Sequence, residues 1–150
     1  MKWTPRSLKL VLNLYPPYLF AGIRITHIDD EWRELRVSMK LRWFNRNAVG
    51  THFGGSLYSM VDPHFMLLLM RILGDDYVVW DKSASIQFKK PGKGRVHAVV
   101  RITDEDLEEI RRNTEEGKSF RPQFELDVLD EKGDRVAVVT KVLHVRRRRT

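Results

Sequence analysis

The chain has 150 residues, 42% of them hydrophobic, no cysteine and a formal charge of +7, which suits one domain with a substantial core. The missing cysteines exclude disulfides, a thiolate nucleophile and cysteine-built zinc sites, and they fit a reducing, cytoplasmic setting. Four of the seven charges sit on Arg146, Arg147, Arg148 and Arg149, so the charge does not argue for nucleic acid; the remainder suits a phosphate-bearing ligand.

Near the start, Lys2, Arg6 and Lys9 precede an apolar stretch from Leu10 to Phe20. Asn13 and the pair Pro16-Pro17 interrupt it, no small-residue cleavage site follows, and it is too short to span a bilayer. Residues 7–15 read as a short helix that the two prolines stop. Ile23 to Ile28 reads as a strand. Beyond the turn at Asp29-Asp30-Glu31, Leu35, Val37, Met39, Leu41 and Trp43 alternate with polar residues, the period of a strand with one buried face.

The most apolar stretch runs from Gly54 to Leu73 and is rich in leucine and methionine. It reads as a helix apolar nearly all round, kinked where Pro63 crowds the carbonyl of Ser59. Strand patterns follow at residues 77–80 and 83–89, then a Pro91-Gly92-Lys93-Gly94 turn and a strand from Val96 to Ile102. Thr103 with Asp106 predicts the cap of a polar helix ending near Glu116. Two more strands, residues 124–129 and 135–145, flank a hairpin turn at residues 131–134.

This order predicts an α+β domain over residues 1–145, an antiparallel sheet wrapped around a long central helix at about residues 54–72, with a solvated basic tail at 146–150. One sheet cannot cover a helix that is apolar on every side, so a second copy of the chain is expected against it.

The segment from Asn45 to Gly55 carries the chemistry, running into a helix that bears Asp62. Two glycines at a helix start allow close approach to the backbone, whose free N–H groups favour negative charge and suit the oxyanion of an attacked carbonyl. An acid in an apolar helix is costly to bury unless paired or functional. Gly54 and Asp62 are about 12 Å apart along a helix, too far to serve one carbonyl from a single chain. Two antiparallel copies would each supply half a site. His27, His97 and His144 lack metal-ligand spacing, and His64 reads as a core histidine. Met60, Met66 and Met70 recur at helical spacing, as core or as the wall of an acyl tunnel.

The loop, double glycine and acid resemble the hotdog-fold thioesterases of the phenylacetate-pathway and four-hydroxybenzoyl-CoA type. In that family an acid follows the second glycine by seven residues, the spacing of Gly55 to Asp62, and Asn47 falls at the family's asparagine. Ser83 to Gly92 resembles the family strand that ends in an aromatic, two residues and a proline. Asn13 to Tyr18, Thr51 to Tyr58 and Val79 to Lys82 resemble hallmarks of a little-characterised bacterial branch of hotdog proteins. The resemblance implies a hotdog fold and hydrolysis of an acyl thioester carried on CoA or acyl-carrier protein, by a homodimer or a dimer of dimers. It implies Asp62 as base or nucleophile, Gly54 and Gly55 as oxyanion donors, Asn47, His52 and Asp81 around them, and Phe53, Tyr58, Met66 and Phe88 toward substrate, with no cofactor and no metal. The family's histidine position holds Phe53, with His52 one place earlier. Asp81 stands about where some relatives carry a water-holding hydroxyl; a second carboxylate there would change the protonation of Asp62 if the two were close. The alternatives are a non-catalytic acyl-CoA or lipid-binding hotdog protein and an acyl-carrier dehydratase, the latter disfavoured because its His-and-acid pairing is not evident.

Overall fold

A computed structural model describes residues 3–149. Two short helices open the chain, α1 (Pro5–Leu14) and α2 (Pro16–Ala21). Thr4 and Ser7 form a reciprocal cap at the start of α1. The prolines end α1 as expected but also begin α2, because a proline at the first helical position gives up an N–H that would be unpaired there anyway.

The strands are β1 (Ile23–Ile28), β2 (Glu34–Lys40), β3 (Tyr77–Phe88), β4 (Arg95–Arg101), β5 (Ser119–Phe120), β6 (Gln123–Leu129) and β7 (Arg135–Arg147). They form one antiparallel sheet in the order β1-β2-β4-β6-β7-β3, with the short β5 beside β7. The β1 edge is covered: Asn13 of α1 donates from Nδ2 to Ile25 O at 3.0 Å and accepts Ile25 N–H on Oδ1 at 2.8 Å. This amide mimics a neighbouring strand. β4 and β6 meet at one pair only, His97 with Leu129, and the sheet opens beyond it.

The expected central helix lies against the inner face, but as two pieces, α3 (Gly54–Ser59) and α4 (His64–Leu73). The kink expected at Pro63 is a full break, a turn over residues 60–63. The carbonyl that the break frees on Met60 takes a hydrogen bond from His64 Nε2 at 2.9 Å. His64 is the core histidine expected, its burial pressing its pKa down to about 4. Leu57, Met60, Phe65, Leu68 and Leu69 are buried against Leu35, Val37, Met39, Val96, Val128, Val139 and Leu143 of the sheet. Phe65 stacks on Phe124 at 4.5 Å. Met66, Leu67 and Ile72 stay half-exposed and Met70 is exposed, so one copy of the sheet leaves part of α4 uncovered. The polar helix, α5 (Asp104–Asn113), carries the expected Thr103–Asp106 cap.

Three boundaries differ from the sequence pattern. β2 stops at Lys40, because Asn45 Oδ1 accepts the Arg42 N–H and turns the chain; Trp43 is left 81% exposed. The two strands expected at residues 77–89 are one, bulged between Asp81 and Ser83. The last strand continues past residue 145: Arg146 pairs with Val78 and Ser119, Arg147 pairs with Tyr77, and Arg148 N–H donates to Asp76 O at 2.7 Å. Backbone pairing is indifferent to side-chain charge where the side chains are exposed, as those of Arg146 and Arg147 are, so the arginine run begins inside the sheet. Among the described residues no helix is long and apolar enough to cross a membrane.

Candidate active site

A lysine occupies a core position. Val139, Lys141, Leu143 and Val145 share the inward phase of β7 and all are buried. Lys141 is 0% exposed, and an ammonium so enclosed must be paired to keep its charge. It donates from Nζ to Asp62 Oδ1 at 3.0 Å and to Tyr58 Oη at 3.2 Å, and it lies 3.1 Å from Asp81 Oδ1. The last contact is an ion pair without hydrogen-bond alignment, and Asp81 Oδ1 has no hydrogen bond of its own.

The local structure explains why these groups meet. Tyr58 stands in α3 four residues before Asp62 in the turn that follows, and its hydroxyl donates to Asp62 Oδ1 at 2.5 Å. Asp81 pairs across the sheet with Leu143, and Ala84, three residues on, pairs with Lys141. Partners share a face, so the bulge between them lets both Asp81 and Ala84 point inward, where a regular strand would turn one of them out.

The two carboxyls differ. Burial pushes Asp62 up, but hydrogen bonds from Tyr58 and Lys141, with the ammonium charge, outweigh it and hold the group below the ordinary carboxylate range. Asp81 is raised, chiefly by burial and further by the charge of Asp62, which Lys141 only partly offsets. Burial presses Lys141 down, yet its hydrogen bonds to Asp62 and Tyr58 and its ion pair with Asp81 keep it above the usual lysine value. At neutral pH, Asp62 is thus ionised beside a cationic lysine, and Asp81 is the carboxyl more easily protonated. Both hydrogen bonds to Asp62 fall on Oδ1. Oδ2 has no partner among the described residues, and the side chain is 46% exposed. It faces a cleft of about 320 Å³ lined by Val11, Tyr15, Tyr18, Ser59 and Leu67.

The other expected residues gather elsewhere. Asn47, His52, Gly54, Leu57 and Phe88 line a second cavity of about 490 Å³. The N–H groups of Gly54 and Gly55 have no hydrogen-bond partner among the described residues. A methyl group on Gly54 would sit 2.8 Å from Phe88 Cζ, and one on Gly55 2.7 Å from Phe53 Cε1, so aromatic rings close over both glycines. Asn47 spends its hydrogen bonds on its loop: Oδ1 accepts Val49 N–H and Thr51 N–H, and Nδ2 donates to Thr51 Oγ1 at 2.9 Å. His52 turns its Nε2 to Gly94 O at 2.8 Å, tying its loop to the Pro91–Gly94 segment, which is irregular rather than the expected turn, and burial lowers its pKa. Met66 packs at the rim of the core, and Phe53 and Phe88 are exposed. Trp80 stacks on His144 at 3.9 Å on the outer face.

The structure therefore unites Asp62, Tyr58 and Asp81 in one cluster and Asn47, His52, Gly54 and Phe88 around another cavity. The residue that sequence reasoning missed is Lys141. Its signal was its place in the alternation of Val139, Leu143 and Val145, where a cation falls on the apolar phase.

Comparison with known proteins places this architecture in the hotdog fold. A protein of unknown function from Pseudomonas aeruginosa, called a probable thioesterase, superposes with a TM-score of 0.81 at 21% identity, over 96% of this chain and 97% of that one. A thioesterase from Haemophilus influenzae gives 0.69 at 14% identity over 98% and 93%. The PaaI protein of the E. coli phenylacetic acid degradation operon gives 0.65 at 16% identity over 93% and 90%. At these identities the likeness speaks for the fold alone. No curated protein matches the sequence. Residues 6–145 match a family described as a domain of unknown function (DUF4442), and the chain belongs to that family.

Proposed function

We propose that the protein is an acyl-CoA thioesterase that works as a homo-oligomer. The observation that carries this reading is a carboxylate, Asp62, fixed through one oxygen by a fully buried lysine and a tyrosine, with its other oxygen unpaired among the described residues and the residue lining an open cleft. In the proposed reaction Oδ2 takes a proton from water as the water oxygen bonds to the thioester carbonyl carbon, or itself attacks that carbon. The carbonyl π pair moves to oxygen, where the N–H groups of Gly54 or Gly55 from the facing subunit receive the charge. Collapse breaks the C–S bond and the thiolate leaves: on the water route Asp62 returns to it the proton it took, and on the direct route water then opens the acyl–Asp62 anhydride, releasing the acid, restoring the carboxylate and supplying the proton. Asn47 and His52 hold the loop that presents those donors, and Phe53, Tyr58, Met66 and Phe88 contact substrate. The carrier is CoA or acyl-carrier protein. The fold shared with proteins called thioesterases supports the reading.

The separation of the two cavities within one chain supports a shared site. β3 is an edge strand of 12 residues, exposed along most of its length, and such an edge invites pairing with another copy. Sedimentation velocity at micromolar concentration is expected to show a dimer or tetramer. A monomer that hydrolyses acyl-CoA would sink the shared site.

A free-thiol assay over short, medium, long and aromatic acyl-CoAs tests the activity, and at least one class is expected to release thiol. The second reading is a non-catalytic acyl-CoA or lipid-binding protein. It is favoured by the depressed pKa of Asp62, since a carboxylate so well paired by Lys141 and Tyr58 also serves as a structural anchor. Binding of acyl-CoA without thiol release from any class would establish it.

A further inference from the structure

A cavity of about 750 Å³, which shares no lining residue with the cleft at Asp62, lies between α1–α2 and the outer face of β1, β2 and β4. Ile23, Val37, Met39 and Val96 are buried toward the core, so the alternate positions Arg24, Ser38, Lys40 and Arg95 face outward. Arg24 pairs across the sheet with Ser38, and Lys40 pairs directly with Arg95. Two cations opposed across a ladder destabilise it unless an anion lies between them. Arg42 joins them on the lining, which includes no acidic residue. Among the described residues none of these four cations forms a salt bridge.

The opposite wall is apolar and open. Leu10, Leu14, Leu19 and Phe44 line it, and Leu14 is 61% exposed. Trp43 packs edge-on against Phe44 at 5.5 Å while 81% exposed itself. A basic floor beside leucines and an exposed tryptophan matches the two halves of a lipid surface, charged headgroup and acyl boundary. A second copy of the chain suits this face poorly. A two-fold contact would set the four cations against their own images, and the long uncovered strand β3 lies at the other end of the sheet order.

We propose that this shelf docks the protein on an anionic phospholipid surface, with Arg24, Lys40, Arg42 and Arg95 on the headgroup phosphates and Leu10, Leu14, Trp43 and Phe44 at the acyl boundary. The full-length protein is expected to co-sediment with vesicles that contain about one-third phosphatidylserine and not with phosphatidylcholine alone, and to release as salt rises. Lys40→Glu with Arg42→Glu should weaken binding about tenfold or more, the scale for removing two cations near such a surface. Leu14→Ser with Trp43→Ser should weaken it as well, and millimolar inorganic phosphate should not compete. Where the charge reversals perturb the circular dichroism spectrum, Lys40→Gln with Arg42→Gln replaces them. Charge variants that bind like the parent would move the contact to the C-terminal arginines and overturn the proposal. So would absence of vesicle binding. Binding that survives the apolar substitutions and yields to inorganic phosphate would reduce the shelf to a simple anion site and overturn the lipid assignment. No arm measures turnover, so failure here leaves the proposed hydrolysis untouched.

Discussion

Asp62→Asn is expected to lower turnover about a hundredfold or more while leaving fold, oligomer and acyl-CoA affinity close to the parent's, the usual scale for losing a group that moves a proton in the transition state. Asparagine keeps the shape, and its amide oxygen still accepts from Tyr58 and Lys141, the donors that reach Asp62 at 2.5 and 3.0 Å. Lys141 also retains Asp81. The matched control is Asp81→Asn, for which a small loss is expected. A large loss there with a small one at position 62 would transfer the role to Asp81, and two variants as fast as the parent on its best substrate would end the mechanism.

Lys141→Met should produce the largest loss of stability of any single side chain in the cluster. Methionine has comparable length but leaves Asp62 and Asp81 facing each other without their shared cation. Removing one partner of a buried pair costs about 3–5 kcal/mol, and the lower end applies because Asp62 remains in contact with water. The pH dependence follows from the directions of the shifts. In the parent, Asp62 is depressed on folding, so its contribution is present above the ordinary carboxylate range and is lost as pH falls through the lowered value. In the variant each carboxylate raises the other. Protonation then relieves the repulsion, and the stability gap to the parent should narrow as pH falls from neutral. The acid limb of the rate profile should move to higher pH, because Asp62 must be ionised to act and has lost the ammonium that kept it so. Chemical denaturation at two pH values and a pH–rate profile measure both effects. A Lys141→Met protein with the parent's acid limb would mean that the lysine does not govern Asp62.

The sheet was legible in the sequence wherever one face is buried. The alternation over Leu35, Val37 and Met39 marks β2 because those side chains enter the core, and it misleads at Trp43 because the pattern runs on past Lys40, where the chain already turns at Asn45. Two-residue β5 has no period to detect. The helix over Gly54 to Leu73 reads as one element because leucine and methionine run through it without change; only Pro63 marks the break between α3 and α4. Of the site, Asp62 stands out as an acid in an apolar stretch. Its partnership with Asp81 and Lys141 is set by a bulge and by the register of β3 on β7, which are long-range facts. No local pattern carries them.

The sheet is pinned across its middle by the pair His97 and Leu129, and a ladder resists shear only where it is bonded. Strands β1, β2 and β4 form one plate and β6, β7 and β3 another, and the buried side chains of α3 and α4 share one core with both. Away from that pair no backbone ladder joins the two plates, and the core packed against both holds them together instead. Lys141 and Asp81 stand together on the second plate, on the paired strands β7 and β3. The first plate carries α1, whose Val11 and Leu12 border the cleft at Asp62. The cleft at Asp62 is thus built from both halves of the sheet: part of its rim hangs from the first plate, while the cation and the second carboxylate behind Asp62 belong to the second.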